Sequence, residues 1–306
     1  MKTAWIFPGQ ASQKIGMGKD LYENTEIGKK YYKIANEILE VDIQSISFDG
    51  PEERLRKTNY TQPAIYIVST IISHIMLDNG FSPDAVSGHS LGEYSAIAAS
   101  GGFNFEVGLE LVKIRSESMH NAGKINPGTM AAIIGMTAEQ VRELCNSNNT
   151  KNVLVAANYN TINQIVISGN IDSVENFSLI AKEHGAKMII PLNVSGAFHS
   201  PLMRPAREEL ADKLDSIEIS DIKIPLYSNF DAKPKTKGKD IKNSLVNQLE
   251  NPVLWYDTIN NMTNDGCSSY IEIGPGKVLQ GLNRKIDKSL SNIGIQTHQD
   301  IMKYEI

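Results

Sequence analysis

Several features that mark common classes of protein are scarce or absent in this chain of 306 residues. Its two cysteines, Cys145 and Cys267, are too few for a disulfide framework or for a four-ligand zinc site of their own. No stretch approaches the roughly 18 consecutive apolar residues that indicate a transmembrane helix. The apolar run at 4–7 is too short for the core of a secretion signal. We therefore expect a cytoplasmic protein that does not span a membrane.

Sequence motifs for bound nucleotides and metals are also missing. Neither Gly-x-x-x-x-Gly-Lys-Ser/Thr nor Gly-x-Gly-x-x-Gly occurs, so nothing supports a nucleotide cofactor. The zinc motif His-Glu-x-x-His is absent, and we expect no metal. The 30 Lys and Arg residues against 35 Asp and Glu give a net charge of -5, which provides no general attraction to nucleic acids or to anionic membranes.

Short apolar runs alternate with helical patterns in the first part of the chain. Strands are predicted at 3–7 and 84–87, and helices at 27–40, 62–77, 91–100 and 106–120. This order, strand then helix, predicts an α/β fold with a mostly parallel sheet that is covered by helices.

The middle of the chain has a different pattern. Strands are predicted at 129–135, 153–157, 164–168 and 187–192, with helices at 138–145 and 173–184 and a loop at 146–152. The order β-α-β-β-α-β is the ferredoxin-like arrangement. After it we predict a helix at 201–214, strands at 224–229 and 269–273, and a lysine-rich loop at 232–242. We therefore expect a large domain of residues 1–123 and 196–306, interrupted by a small subdomain of residues 124–195.

The pentapeptide at 88–92 reads Gly-His-Ser-Leu-Gly and lies between a predicted strand and a predicted helix. This context is that of a nucleophile elbow, in which a tight turn exposes the serine hydroxyl. Ser90 is then the candidate nucleophile, and the backbone N–H of Leu91 can face a developing oxyanion. A serine needs a base, because its hydroxyl is barely ionised at neutral pH.

His199 is the candidate base among the six histidines of the chain. It follows a predicted strand and directly precedes a predicted helix, and functional residues concentrate at such boundaries. From the residues alone, a capping or packing role for His199 is equally open.

Arg115 falls on the apolar face of the predicted helix 106–120, between Leu111 and Met119. A buried guanidinium needs a carboxylate partner. That partner is either an Asp or Glu of the protein or the carboxylate of a ligand, and both remain open at this point.

Several ordered motifs give the chain a close resemblance to the malonyl-CoA:acyl carrier protein transacylases of fatty acid synthesis and to the acyltransferase domains of polyketide synthases. The resemblance covers nearly the whole chain, at residues 7–13, 61–64, 88–94, 115, 196–200, 227–229, 248, 252–255 and 272–276. It implies an α/β-hydrolase-like large domain and a ferredoxin-like small one.

The resemblance also implies roles for individual residues. Ser90 would be acylated, and His199 would be its base, oriented by the main-chain carbonyl of Gln248. Gln10 and the backbone N–H of Leu91 would form the oxyanion hole. Arg115 would bind the malonyl carboxylate. A further sign of malonyl selectivity is Phe198, which precedes the histidine. One departure is Ala11, at a position that is often glycine, and alanine disfavours only positive φ.

The implied activity is malonyl transfer from malonyl-CoA to the phosphopantetheine thiol of acyl carrier protein, with malonyl-CoA as substrate and no cofactor. We expect a monomer. Because acyl carrier proteins are acidic, docking needs a local basic patch, for which the candidates are Lys182, Lys187, Lys277, Arg284 and Lys285. The alternatives are a discrete acyltransferase of a polyketide pathway, a serine thioesterase or other hydrolase, and a non-catalytic module that docks carrier protein.

Overall fold

The computed structural model describes residues 2–147 and 152–304. The strands are β1 (Lys2–Phe7), β2 (Ala85–Gly88), β3 (Thr129–Ile134), β4 (Leu154–Thr161), β5 (Gln164–Gly169), β6 (Met188–Pro191), β7 (Leu226–Tyr227), β8 (Pro234–Lys235), β9 (Cys267–Ile273) and β10 (Ser291–Ile295). The helices are α1 (Lys19–Asn24), α2 (Glu26–Leu39), α3 (Ile43–Phe48), α4 (Glu52–Leu55), α5 (Thr58–Asp78), α6 (Gly92–Ala99), α7 (Phe105–Ile125), α8 (Ala138–Ser147), α9 (Ile171–Ala181), α10 (Arg204–Asp215), α11 (Gly238–Gln248), α12 (Trp255–Asn264), α13 (Val278–Ile286) and α14 (His298–Tyr304), with a short 3-10 helix at Pro201–Met203.

The larger sheet has six strands in the order β10-β9-β1-β2-β7-β8. All its neighbouring strands are parallel except β7 and β8, which are antiparallel. Phe7, at the end of β1, lies opposite Gly88, at the end of β2. The segments that follow these two residues therefore leave the same edge of the sheet side by side, which is where ligands bind in sheets of this kind.

Two long helices, α5 and α7, pack against each other, and α5 also contacts β9 of this sheet. They confirm the predicted helices 62–77 and 106–120 but extend further. The extra N-terminal residues of α5 include Thr58 and Thr61, which are polar yet buried, so a hydrophobic pattern does not reveal them. At the start of α7, the Asn104 side chain accepts a hydrogen bond from the Val107 N–H and caps the helix.

The smaller sheet has four strands in the order β4-β5-β3-β6, and each neighbouring pair is antiparallel. Together with α8 and α9 these strands follow the predicted order β-α-β-β-α-β along the chain. Helix α8 continues to Ser147, into the predicted loop 146–152, and residues 148–151 of that loop lie outside the described residues. An isolated bridge between Asn158 and Val253 joins this sheet to the rest of the molecule.

The predicted lysine-rich loop at 232–242 is wrong in part. It contains β8, and α11 begins at Gly238. The five lysines make this segment look like a solvated loop. The helix is indicated instead by Ile241 and Leu245, which are four residues apart and fully buried on one side of α11. The predicted strand 224–229 is reduced to Leu226–Tyr227. The predicted helix 201–214 is divided into the 3-10 turn and α10.

Within the described ranges, none of the helices is both long enough and apolar enough to cross a membrane.

Candidate active site

The predicted nucleophile elbow is present between β2 and α6. Ser90 adopts a left-handed backbone conformation with φ 54°, which is unusual for a residue with a side chain. A Cβ atom on Gly88 would lie 1.9 Å from the carbonyl carbon of Gly92, and one on Gly92 would lie 2.0 Å from the Phe7 carbonyl oxygen. Both positions therefore require glycine, and the tight packing presents the Ser90 hydroxyl at the edge of the sheet.

Ser90 and His199 are in direct contact. The Ser90 hydroxyl oxygen lies 2.8 Å from His199 Nε2, and His199 Nδ1 lies 2.9 Å from the main-chain oxygen of Gln248. A carbonyl oxygen only accepts hydrogen bonds, so Nδ1 carries the proton of the neutral ring. Nε2 is then free to accept the hydroxyl proton of Ser90, which is the arrangement a general base requires.

His199 is held in its neutral form by its surroundings. Its side chain is buried, and this burial, together with the positive charge of Arg115, lowers the pKa of His199 to about 3. The residue has a positive φ of 57°, immediately before the short 3-10 helix. The imidazole faces Ser90, and the side chain of Ser200 caps the 3-10 helix, so His199 does not take the capping role that the sequence left open.

Arg115 is fully buried on α7, as its helical position predicted. Its Nη2 atom donates hydrogen bonds of 2.9 Å to the Ser90 hydroxyl and to Gln248 Oε1, and its Nη1 atom donates one of 2.5 Å to Gln62 Oε1. The guanidinium carbon also lies 5.4 Å from the centre of the Tyr94 ring. These partners are neutral, and no carboxylate of the described residues forms an ion pair with Arg115. The guanidinium therefore retains the capacity to bind an anionic ligand beside Ser90.

Gln248 connects the members of the site with one another. Because a guanidinium only donates hydrogen bonds, the atom of the Gln248 amide that faces Arg115 is the acceptor Oε1. The Nε2 atom of the amide therefore faces Ser90 and Glu93. Nε2 donates to the main-chain oxygen of Ser90 at 2.9 Å and to Glu93 Oε2 at 2.7 Å. Through its side chain and its main-chain carbonyl, Gln248 thus contacts Ser90, Glu93, Arg115 and His199.

Gln10 and Leu91, the predicted oxyanion-hole residues, both line the cavity at Ser90. Leu91 directly precedes α6, where helix N–H groups lack partners within the helix. Gln10 makes a long contact of 3.4 Å from Nε2 to the Thr58 hydroxyl. Ala11, beside it, has a positive φ of 83°, which is unfavourable for alanine.

A cavity of about 450 Å³ opens over Ser90 and His199. Residues after β1 and β2 form one wall, and side chains of the smaller sheet, including Met130, Asn158 and Val166, form the other. Phe198 also lines this cavity. A hydrogen bond of 2.9 Å between His89 Nε2 and Asn160 Oδ1 joins the two walls. Among residues 2–147 and 152–304, no group of His, Cys, Asp and Glu is arranged to hold a metal ion.

Three further residues contribute to the site and were not singled out from the sequence. Gln62 accepts a hydrogen bond from Arg115, and Glu93 accepts one from Gln248. Asn229 holds the elbow, because its Oδ1 atom accepts from the Ser90 N–H and its Nδ2 atom donates to the Gly88 carbonyl oxygen, both at 2.6 Å. All three lie inside the motifs 61–64, 88–94 and 227–229. Their location in these motifs could have marked them as site residues. Their hydrogen-bond partners could not be inferred, because those partners are distant in sequence.

Comparison with known proteins identifies the family. The model of the acyl transferase domain matches residues 4–304. Malonyl CoA-acyl carrier protein transacylase of Bacillus subtilis is 43% identical over 301 residues, which are 98% of this chain and 95% of that protein. The crystal structure of an acyl carrier protein S-malonyltransferase from Vibrio cholerae superimposes with a TM-score of 0.95 at 37% identity, covering 99% of this chain and 100% of the other.

A third relative is a malonyl-transacylase solved in complex with its type II PKS acyl-carrier protein. It superimposes with a TM-score of 0.95 at 35% identity, covering 99% of this chain and 98% of the other. The α/β fold, with one sheet of mixed strand direction and one antiparallel sheet, is shared with these solved structures. The chain therefore belongs to the acyl transferase domain family.

Proposed function

We propose that this chain transfers the malonyl group from malonyl-CoA to the phosphopantetheine thiol of acyl carrier protein, and so supplies extender units for fatty acid synthesis. One observation carries the proposal. Arg115, a buried guanidinium with neutral partners, donates a 2.9 Å hydrogen bond to the same Ser90 hydroxyl that contacts neutral His199. A nucleophile and a binding group for a carboxylate thus lie side by side. The names of the relatives agree with this substrate.

In the first half of the proposed reaction, the malonyl carboxylate pairs with Arg115. His199 Nε2 takes the proton of Ser90 as the hydroxyl oxygen attacks the thioester carbonyl carbon. The carbonyl oxygen becomes negative and is stabilised by Gln10 and by the Leu91 N–H, each donor contributing about 3–4 kcal/mol in comparable serine enzymes. The carbon–sulfur bond then breaks, and the CoA thiolate takes the proton from His199.

The second half reverses these steps with another thiol. His199 removes the proton of the phosphopantetheine thiol, the sulfur attacks the malonyl ester, and the Ser90 oxygen leaves and recovers its proton from His199. The main-chain carbonyl of Gln248 stabilises the transient imidazolium by accepting from Nδ1. No cofactor and no metal takes part in this scheme, and CoA leaves as a product.

Two alternatives share the same serine and histidine. A thioesterase acting on neutral acyl groups has no use for Arg115, and the position of this guanidinium therefore favours transfer of a carboxylated group. A discrete acyltransferase of a polyketide pathway would use the whole site as described. Similarity to the relative solved with a type II PKS acyl-carrier protein supports this second function.

The carrier protein is the proposed partner, and α13 offers the best support for its docking surface. Val278, Leu279 and Leu282 of this helix line the cavity at Ser90. Lys277, Arg284 and Lys285 are exposed on or beside the same helix. Lys182 and Lys187 are also exposed, but they lie near β6, at the edge of the smaller sheet opposite to β4, the strand that α13 contacts. A monomeric state and a cytoplasmic location remain predictions.

For the fold, we propose that residues 124–195 form a ferredoxin-like subdomain inserted into an α/β-hydrolase-like domain of residues 1–123 and 196–306. The antiparallel order β4-β5-β3-β6 supports the first assignment. The strand-turn-helix geometry around Ser90 supports the second.

Initial-rate kinetics test the proposed function. With malonyl-CoA and holo acyl carrier protein both varied, double-reciprocal plots should give parallel lines, because CoA leaves before the carrier reacts. The Ser90→Ala variant should have no transfer activity. Intersecting lines would mean that both substrates bind before any chemistry, and they would contradict a malonyl-serine intermediate.

A further inference from the structure

Glu93 is a buried carboxyl group beside the site that the proposed reaction does not use. It lies in the first turn of α6 and is completely inaccessible to solvent. Its Oε2 atom accepts from Gln248 Nε2 at 2.7 Å and from the Asn229 N–H at 3.2 Å. Its Oε1 atom is buried and has no hydrogen-bond partner among the described residues. A carboxylate held in this way is incompletely solvated, and the burial raises the pKa of Glu93 to about 7.

A single side chain separates Glu93 from Arg115. Arg115 Nη2 donates to Gln248 Oε1, and Gln248 Nε2 donates to Glu93 Oε2. Both charged groups are fully buried, so their interaction is screened much less than it would be at the surface. Ionised Glu93 thus partly balances the charge of Arg115, with only the side-chain amide of Gln248 between the two groups.

We propose that Glu93 is a positioning residue that, through the Gln248 amide, sets how tightly Arg115 binds the carboxylate of the acyl group. This inference rests on the proposed function. The carboxylate of the substrate and that of Glu93 share one guanidinium. Binding of a carboxylated acyl group therefore favours the protonated form of Glu93, and protonation of Glu93 strengthens that binding by the same factor.

The groups that face Glu93 allow its titration to be distinguished from others. Arg115 on α7 favours ionisation, whereas Asp231, after β7, opposes it. Gln248 and Asn229 supply neutral donors, and Tyr94, the next residue along α6, has a pKa raised far above neutrality by burial. The pKa of His199 is lowered to about 3, so this base stays neutral wherever Glu93 titrates.

The test measures acylation of Ser90 by malonyl-CoA and by acetyl-CoA between about pH 6 and pH 8. The pH dependence of KM is then compared between the two donors. In the wild type, KM for malonyl-CoA should rise at least about fivefold over this range, while KM for acetyl-CoA should not follow it. Glu93→Gln retains an oxygen that can accept from Gln248 but removes the charge. At every pH in this range, the KM of Glu93→Gln for malonyl-CoA should stay near the value that the wild type has at low pH. Equal pH profiles in the wild type and Glu93→Gln would overturn the inference.

Proton uptake provides a second readout that needs no turnover and no Glu93 variant. Calorimetry of malonyl-CoA binding to Ser90→Ala, in two buffers of different ionisation enthalpy near pH 7, should show that a fraction of a proton is taken up. Acetyl-CoA should give none. No uptake with malonyl-CoA would contradict the role of Glu93, whereas failure of malonyl-CoA to acylate wild-type Ser90 would contradict the proposed function instead.

Glu272 supplies a matched control. It is also a fully buried carboxyl group, but it accepts hydrogen bonds from the Leu279 and Gln280 N–H groups at the start of α13. Glu272→Gln should reduce stability and leave the pH dependence of the malonyl-to-acetyl KM ratio as in the wild type. A loss of that pH dependence in Glu272→Gln as well would show that any buried carboxyl matters, which would contradict a specific role for Glu93.

Discussion

Arg115 Nη2 lies 2.9 Å from the hydroxyl oxygen of Ser90, and His199 Nε2 lies 2.8 Å from the same oxygen. The proposed binding group for a carboxylate and the proposed base for the nucleophile thus meet at one atom. In a malonyl thioester, a single methylene separates the carboxylate from the reacting carbonyl. This short separation fits the short distance between the guanidinium and the serine.

Replacing Arg115 should change which acyl group is transferred. Arg115→Ala removes a charged, bidentate partner, a loss of about 3 kcal/mol, so kcat/KM for malonyl-CoA should fall at least about 100-fold. Transfer of an acetyl group, which has no carboxylate, should persist or increase. Arg115→Lys, which retains the charge but not the fork of donors, should recover only part of the malonyl activity. Equal losses for both donors would mean that Arg115 maintains the site without selecting the substrate.

Burial of neutral His199 should make the protein sensitive to acid. The pKa of His199 is lowered to about 3 in the folded state, against about 6.5 for an unfolded chain. Below about pH 6.5 the unfolded state binds a proton that the folded state does not, so stability falls as the pH falls toward 3.

The comparison of the wild type with His199→Gln isolates this contribution. Between about pH 6 and pH 4, the difference in free energy of unfolding should shift in favour of the variant by up to about 1.4 kcal/mol per pH unit. Urea titrations at several pH values measure it. A difference that does not depend on pH would show that His199 is protonated in the folded protein.

Ala11 should be a point of backbone strain. Its φ of 83° is costly for any residue with a Cβ atom. Ala11→Gly should therefore raise the free energy of unfolding by about 1 kcal/mol, the strain relieved being partly offset by the greater freedom of glycine in the unfolded chain. Denaturant unfolding measures the change. A destabilised variant would indicate that the methyl group of Ala11 contributes packing that outweighs the strain.

Two glycines offer a matched pair of substitutions with opposite outcomes. A Cβ atom at Gly92 would meet the main chain of Phe7, so Gly92→Ala should disrupt the contact between the elbow and β1 and abolish acylation of Ser90. Gly281, inside α13, has no atom within 4 Å of the added Cβ, and Gly281→Ala should stabilise the protein by up to about 1 kcal/mol. Melting temperature and acylation rate together check both. A tolerated Gly92→Ala would contradict the packing described for the elbow.

The sequence predicted those parts of the site that depend on local structure. The glycine spacing around Ser90 and the helical angle of Arg115 are local properties, and both residues lie where they were expected. The Gln248 carbonyl opposite His199 came from the family resemblance alone, because a main-chain acceptor leaves no mark on residue type. Glu93 and Gln248 are 155 residues apart, and only the folded chain shows that they are bonded.

The same distinction applies to the elements. Helices and strands with a clear apolar period, such as α2 and β3, were predicted to within a residue or two. Helix α11 was missed because lysines dominate its start, and its helical state depends on burial of Ile241 and Leu245 against the rest of the protein. Where packing rather than local pattern stabilises an element, residue type alone does not indicate it.

Intact-protein mass spectrometry after brief mixing with malonyl-CoA shows whether a malonyl-serine intermediate forms on Ser90. The wild type should gain the mass of one malonyl group, Ser90→Ala should gain none, and holo acyl carrier protein should remove the adduct while becoming malonylated itself. Release of free malonate with no adduct and no malonylated carrier would contradict the account and indicate a hydrolase.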